Sequence, residues 1–310
     1  MTAAIISHQK CTLHSNGGFD HPEAPERMDA INNRLITSGV DWITRHFDAH
    51  AATREQLLRV HDAHYVDKIF EAAPHDAAII NIDGDTAMNE HTLEAALFAA
   101  GAAVQAVDLV MGPSHKHTFC STRPPGHHAG RAHSAGFCIF NNVAVGAAHA
   151  MAEYGLSRIA IIDFDVHHGD GTEAIFANDP RVLFCSSFQH PYYPFSGADT
   201  KAENIINLPM RAGTRSGEWR DKVRESWLPV IRDYQPELIM ISAGFDSHME
   251  DDMGGFNLVE ADYVWITREL CQIAKDCGHG RVVSCLEGGY DLSSLGRSVA
   301  AHVKELAEFH

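Results

Sequence analysis

Positive charge, paired cysteines and long apolar runs are all scarce in this chain, and each scarcity excludes a class of function. Seven cysteines are scattered through 310 residues with no C-x-x-C pair, which argues against a disulfide framework. Cys120, Cys138, Cys185 and Cys285 lie in apolar surroundings and read as small core residues in a reducing compartment. No run of about 18 apolar residues occurs, so no membrane span is expected. The stretch from Met1 to Ser15 has only a brief apolar patch before His, Gln and Lys, too short for a secretory leader, and a cytoplasmic location is expected. Lys and Arg number 24 against 41 Asp and Glu, a net charge of −17. Such a surface repels phosphate backbones, so no nucleic-acid partner is expected, and it attracts cationic ligands. A solvated acidic exterior that aids solubility accounts for the same number. Internal repeats, low-complexity tracts and Gly/Ser/Pro linkers are also missing.

What is present suits a globular enzyme: 45% hydrophobic residues, and 22 histidines, enough to make a metal or acid–base site worth seeking. Short β-branched runs predict strands at Ala3 to Ser7, His117 to Thr122, Arg158 to Phe164, Arg181 to Ser187, Ile205 to Leu208, Glu237 to Ala243 and Arg281 to Leu286. Several are continuously apolar, as parallel strands buried on both faces are. Amphipathic or alanine-rich stretches between them, such as Thr92 to Leu109, Asn142 to Tyr154, Gly217 to Tyr234 and Ser294 to Phe309, predict helices. The alternation indicates one α/β domain over residues 1–310, with a mostly parallel sheet flanked by helices and sites on loops beyond the carboxyl ends of the strands.

The unusual residues fall at those strand ends. After the strand ending at Phe164 runs D-x-D-x-H-H-G-D-G, from Asp163 to Gly171, and strand alternation puts Asp163, Asp165 and His167 on one side. Three converging polar groups are costly to bury unless a cation or hydrogen bonds satisfy them. Arg123-Pro124-Pro125-Gly126-His127-His128 follows another strand, where a stiff turn presents two imidazoles. The spare carboxylates Asp163 and Asp170 could orient them. Ser242-Ala243-Gly244-Phe245-Asp246 and Leu286-Glu287-Gly288-Gly289-Tyr290 complete the set. Alone, Asp246 reads equally as a turn or cap residue, and a Tyr after Gly-Gly is a weak signal.

Together these elements resemble the histone deacetylases and their bacterial relatives, the acetylpolyamine amidohydrolases, of the arginase-deacetylase fold. The likeness also covers H-P-E-x-P-E-R at His21 to Arg27 and G-F-C-x-F-N-N at Gly136 to Asn142, and is nearest the class II branch. The resemblance implies Zn²⁺ held by Asp165, His167 and Asp246, with His128 as general base and then acid, oriented by Asp170. It implies an electrostatic role for His127 paired with Asp163, and a hydroxyl from Tyr290 for the developing oxyanion. It also implies a structural K⁺ or Na⁺ at Asp163, Asp165, His167, Ser186 and Ser187, and a second near Phe176, Asp179 and Val182. Arg27 matches an arginine at the floor of the site.

The same resemblance implies a narrow tunnel walled by Gly136, Phe137 and Tyr193, with Gly289 beside it, Asp85 at the rim and Met253 as gatekeeper. An apolar gatekeeper favours N-acyl-lysine in proteins or peptides over acetylpolyamines. Glu250, Asp251 and Asp252, with the −17 charge, pull the other way by offering carboxylates to a polyamine. A protein that binds acetyl-lysine or a metabolite without turnover is the reading from another class. A binuclear manganese ureohydrolase shares the fold but needs more carboxylate ligands than the sequence offers. Oligomeric state stays open.

Overall fold

The computed structural model describes residues 3–17 and 20–309; Met1 and Thr2 of the leader reading lie outside them. Its strands are β1 (Ala3–Ser7), β2 (Thr44–Asp48), β3 (Ile80–Asn81), β4 (Ala87–Met88), β5 (His117–Cys120), β6 (Ile159–Asp163), β7 (Val182–Gln189), β8 (Ile205–Met210), β9 (Leu238–Ala243) and β10 (Val282–Leu286). The helices are α1 (Glu26–Thr37), α2 (Arg54–Leu57), α3 (Ala63–Ala72), α4 (Thr92–Met111), α5 (Asn142–Tyr154), α6 (Asp170–Phe176), α7 (Ser216–Tyr234), α8 (Glu260–Asp276) and α9 (Leu292–Glu308).

Eight strands form one sheet in the order β2-β1-β5-β10-β9-β6-β7-β8, with every pairing parallel, while β3 and β4 form a separate antiparallel pair. The inner strands β5, β10, β9 and β6 are buried on both faces, as parallel strands covered by helices on each side are. In β6, Ala160 and Ile162 join a core with α1, α7, α8 and α9, while Ile159 and Ile161 join one with α3, α4, α5 and α6. Helix α4 is the one described helix long and apolar enough to cross a membrane, and 67% of that stretch is buried inside the fold.

The strand order determines where chemistry can occur. The late strands β9 and β10 insert between β5 and β6, so β5, β10, β9 and β6 are consecutive in the sheet. Each of the four sequence motifs follows one of these strands. Segments far apart in the chain therefore meet at one crevice beyond the carboxyl ends, where ligands bind in open α/β sheets.

Candidate active site

Carboxylates shape the turn after β6. Asp163 Oδ1 accepts from the Asp165 amide at 3.1 Å, and Asp165 Oδ1 accepts from the His167 amide at 2.9 Å. Asp246 Oδ1, from the loop after β9, accepts from Val166 N at 2.8 Å. Asp165 Oδ2 accepts from Gly288 N, after β10, at 2.8 Å. The approach is so close that a Cβ on Gly288 would lie 2.1 Å from Asp246 Oδ2, so only glycine fits there.

Asp165, His167 and Asp246 are buried, and each offers one donor atom, all within 4.8 Å of one another. His167 Nδ1 lies 3.1 Å from Asp165 Oδ1 and 3.2 Å from Asp246 Oδ2. Yet Asp246 Oδ2, though buried, accepts no hydrogen bond. An orphaned carboxylate oxygen beside a second carboxylate and an imidazole suits a divalent cation with N/O ligands. The electrostatics agree. Burial and the neighbouring charge of Asp165 push Asp246 up to about 7, and the two carboxylates overcome burial to push His167 up to about 10. A bound cation would relieve that repulsion between carboxylates.

The loop after β5 brings two imidazoles to this cluster. His127 Nδ1 lies 2.9 Å from Asp163 Oδ2, and His128 Nδ1 lies 2.7 Å from Asp170 Oδ1, at the start of α6. The pair diverges electrostatically. Burial lowers His128 to about 4, helped by the neighbouring charge of His127. For His127 burial acts the same way but is outweighed by Asp163 and Asp165, which hold it well above the usual range. A neutral and a charged imidazole thus sit with ring centroids 4.0 Å apart. The Tyr290 phenol is held well above its usual range by burial, then by Asp246, so it keeps its proton. Its ring has Arg27 Cζ 5.0 Å from the centroid.

A cavity of about 210 Å³ opens onto these groups, lined by Asp85, His128, Gly136, Phe137, His167, Tyr192, Tyr193, Met253 and Tyr290. Gly136 has φ +52°, and a Cβ there would lie 2.3 Å from the His128 ring. Its amide donates to Asp85 Oδ1 at 2.9 Å, so Asp85 pins the tunnel wall as well as facing the cavity. Gly289 does not line the cavity; its carbonyl accepts from Arg27 Nε at 2.7 Å.

One expectation needs correction. Asp251 is not a rim charge: it is 4% exposed, and its oxygens accept from the amides of Met253, Tyr290 and Asp291. Glu250 is paired with Arg297 at 2.7 Å. Of that acidic run only Asp252 is exposed without a described partner, because Asp251 is taken up by amides of its own turn and of the segment after β10.

At the first expected cation position, Asp163 lies opposite Ser186 across β6 and β7; Ser186 Oγ is 3.0 Å from His168 Nδ1, and Ser187 Oγ accepts from Trp219 Nε1 at 3.0 Å. At the second, the carbonyls of Phe176, Asp179 and Val182 all accept from the Asn204 amide, at 2.9, 3.2 and 2.8 Å. A cation there would compete with Asn204.

The sequence reading assigned no role to Tyr192 or Glu287. Tyr192 stacks on His167 with centroids 5.5 Å apart, and its only signal was adjacency to Tyr193. Glu287 is fully buried, and its Oε2 accepts from the amides of Gly126 and His127 at 2.7 and 3.1 Å. Glu287 follows an apolar strand in the sequence, but the direction of its side chain shows only in the fold.

Known proteins resemble this chain in sequence and in fold. Residues 21–306 match the histone deacetylase domain. The uncharacterized protein slr0245 of Synechocystis sp. is 34% identical, with 98% of this chain aligned to 99% of that one. The polyamine deacetylase HDAC10 of Homo sapiens is 34% identical over 99% of this chain, which spans about half (48%) of that protein's length. The chain spans 20% of type-2 histone deacetylase 2 of Dictyostelium discoideum, at 33% identity. The crystal structure of an HDA15 HD domain superposes with a TM-score of 0.93 at 31% identity, covering 99% of this chain and 88% of that one. With its fold, its strand-end motifs and these matches in agreement, the chain belongs to the histone deacetylase domain family.

Proposed function

We propose that the chain hydrolyses the amide of N-acetyl- or N-acyl-lysine side chains in proteins or peptides, releasing the carboxylate and a free amine. The observation that carries this reading is the buried Asp165–His167–Asp246 donor set beside two carboxylate-oriented imidazoles, where His128 and His167 line a cavity. Asp165, His167 and Asp246 would hold Zn²⁺, which would supply Lewis acidity toward the amide carbonyl and water. His128, neutral and with Nδ1 turned to Asp170, takes the proton from water and returns it to the leaving amine. His127 contributes positive charge beside the developing oxyanion, and the Tyr290 hydroxyl donates a hydrogen bond to it. Phe137 and Tyr193 give the cavity apolar walls suited to a lysine stem, and Met253 offers no charge to a second amine. A structural K⁺ or Na⁺ beside Asp163 and Ser186, a cytoplasmic location and the lack of a nucleic-acid or membrane partner belong to the same reading.

Asp85 lines the cavity with a carboxylate, which favours acetylpolyamine as the second reading. Acetate release from an acetyl-lysine peptide and from acetylspermidine, at equal concentration, separates the two. The peptide is expected to be preferred; a polyamine preference of about tenfold, equivalent to about 1.4 kcal/mol, would overturn the first reading. If the chain only binds, Tyr290→Phe leaves any acetate release unchanged.

A further inference from the structure

Asp251 sits in a turn that reads as surface, yet every amide it accepts from belongs to a segment that lines the cavity or adjoins one that does. Oδ1 accepts from Met253 N at 2.9 Å. Oδ2 accepts from Tyr290 N at 2.6 Å and from Asp291 N at 3.0 Å, across 39 and 40 residues of sequence. Met253 and Tyr290 both line the cavity, and Asp291 opens α9 by accepting from Ser294 N at 2.7 Å. The Asp251 amide in turn donates to the His248 carbonyl at 3.0 Å, in the loop that carries Asp246.

We propose that Asp251 is a positioning residue that ties the backbone of the gate residue Met253 to that of Tyr290, so that gate and phenol hold one mutual geometry. The ring contacts of Tyr290, with Arg27 at 5.0 Å and Phe137 at 6.1 Å, are weakly directional. The backbone tie therefore sets how far the hydroxyl reaches toward the reacting carbonyl. Only a carboxylate can make it: both oxygens face donors, and an asparagine amide would turn its NH₂ against one of them. The role given to Tyr290 rests on the proposed function; the tie itself does not.

A double-mutant cycle tests this. Asp251→Asn and Asp251→Ala are each made alone and with Tyr290→Phe, and kcat and KM are read on an acetyl-lysine peptide with the zinc-loaded chain. Each single Asp251 variant is expected to lower kcat about tenfold or more with KM within about threefold, and by less than about twofold once Tyr290 is Phe. Full multiplicative losses in the Tyr290→Phe background overturn the proposal. Amide hydrogen exchange gives a readout that needs no activity. Residues 250–256 and 288–294 are expected to exchange faster together in Asp251→Asn, and acceleration of only one segment overturns the coupling. If neither variant folds, Asp251 serves stability alone and the proposal fails. A wild-type chain that releases no acetate sinks the proposed function instead, and hydrogen exchange still decides the tie.

Discussion

The floor and the rim of the cavity are built differently. At the floor, Asp163, Asp165, His127, Asp246 and Glu287 are all 3% exposed or less, and each carboxylate accepts from a backbone amide or an imidazole on a neighbouring loop. At the rim, Asp85 is exposed, and the Asp85–Thr86 turn holds the cavity wall through the amides of Gly136 and Phe137 at 2.9 and 3.1 Å. Dense mutual bonding in a low-dielectric floor fixes geometry and makes each partner costly to lose. A sparsely bonded rim can change residues without disturbing the reaction. Reaction type therefore belongs to the floor and substrate choice to the rim.

The largest break should come from the floor. Asp246→Ala is expected to abolish tight zinc binding, read by metal stoichiometry, and to cost about 10³-fold or more in kcat/KM. Retained stoichiometric zinc would remove Asp246 from the ligand set.

A second buried histidine sharpens the comparison through pH. His302 is as buried as His127, but its partners are hydroxyls: Thr267 Oγ1 at 2.6 Å and Ser284 Oγ at 2.9 Å. Without a carboxylate, burial pushes it down to about 3. Its folded pKa is depressed, so the unfolded chain takes up a proton as pH falls below about 6.5 while the folded chain resists until about 3. His302 thus stabilises the fold fully above that window and loses its contribution, a few kcal/mol or about 10³-fold in the folding equilibrium at full extent, as pH falls through it. Denaturant unfolding between pH 7 and 4 should show a steeper acid loss in the wild type than in His302→Gln. Parallel curves would contradict the assignment.

Removing only an orienting charge should cost less. Asp170→Asn leaves His128 in place but loosens its tautomer, and kcat is expected to fall about 10²-fold with zinc content unchanged. A change below about twofold would move the proton-transfer role away from His128.

The rim should give the smallest effect on rate. Met253→Glu is expected to shift the acetylspermidine-to-peptide ratio about tenfold toward the polyamine while zinc content holds. An unchanged ratio would place selectivity elsewhere, with Asp85 the next candidate.

Much of the floor was legible because its motifs sit at the ends of apolar strands, where buried polar residues are conspicuous. Asp165 and His167 sit together as strand alternation suggests, and Asp246 joins them as the family resemblance implies. The turn after β9 was harder to read. Asp251 lies in an Asp-Asp turn that resembles any solvated loop, and only the fold reveals the amides it accepts from. Strand β2 escaped the apolar-run criterion because it lies at the sheet edge, with Arg45 and His46 exposed. Asn204 could not be placed from sequence, since the carbonyls around its amide belong to backbone and carry no residue signature.

The most direct test of the central claim is acetate release from an acetyl-lysine peptide by the same preparation before chelation, after chelation, and after addition of Zn²⁺. The account predicts turnover that is lost on chelation and restored by zinc, with Tyr290→Phe slow in every metal-loaded state. Turnover that survives complete metal removal, or a zinc-loaded chain that releases no acetate, would contradict it.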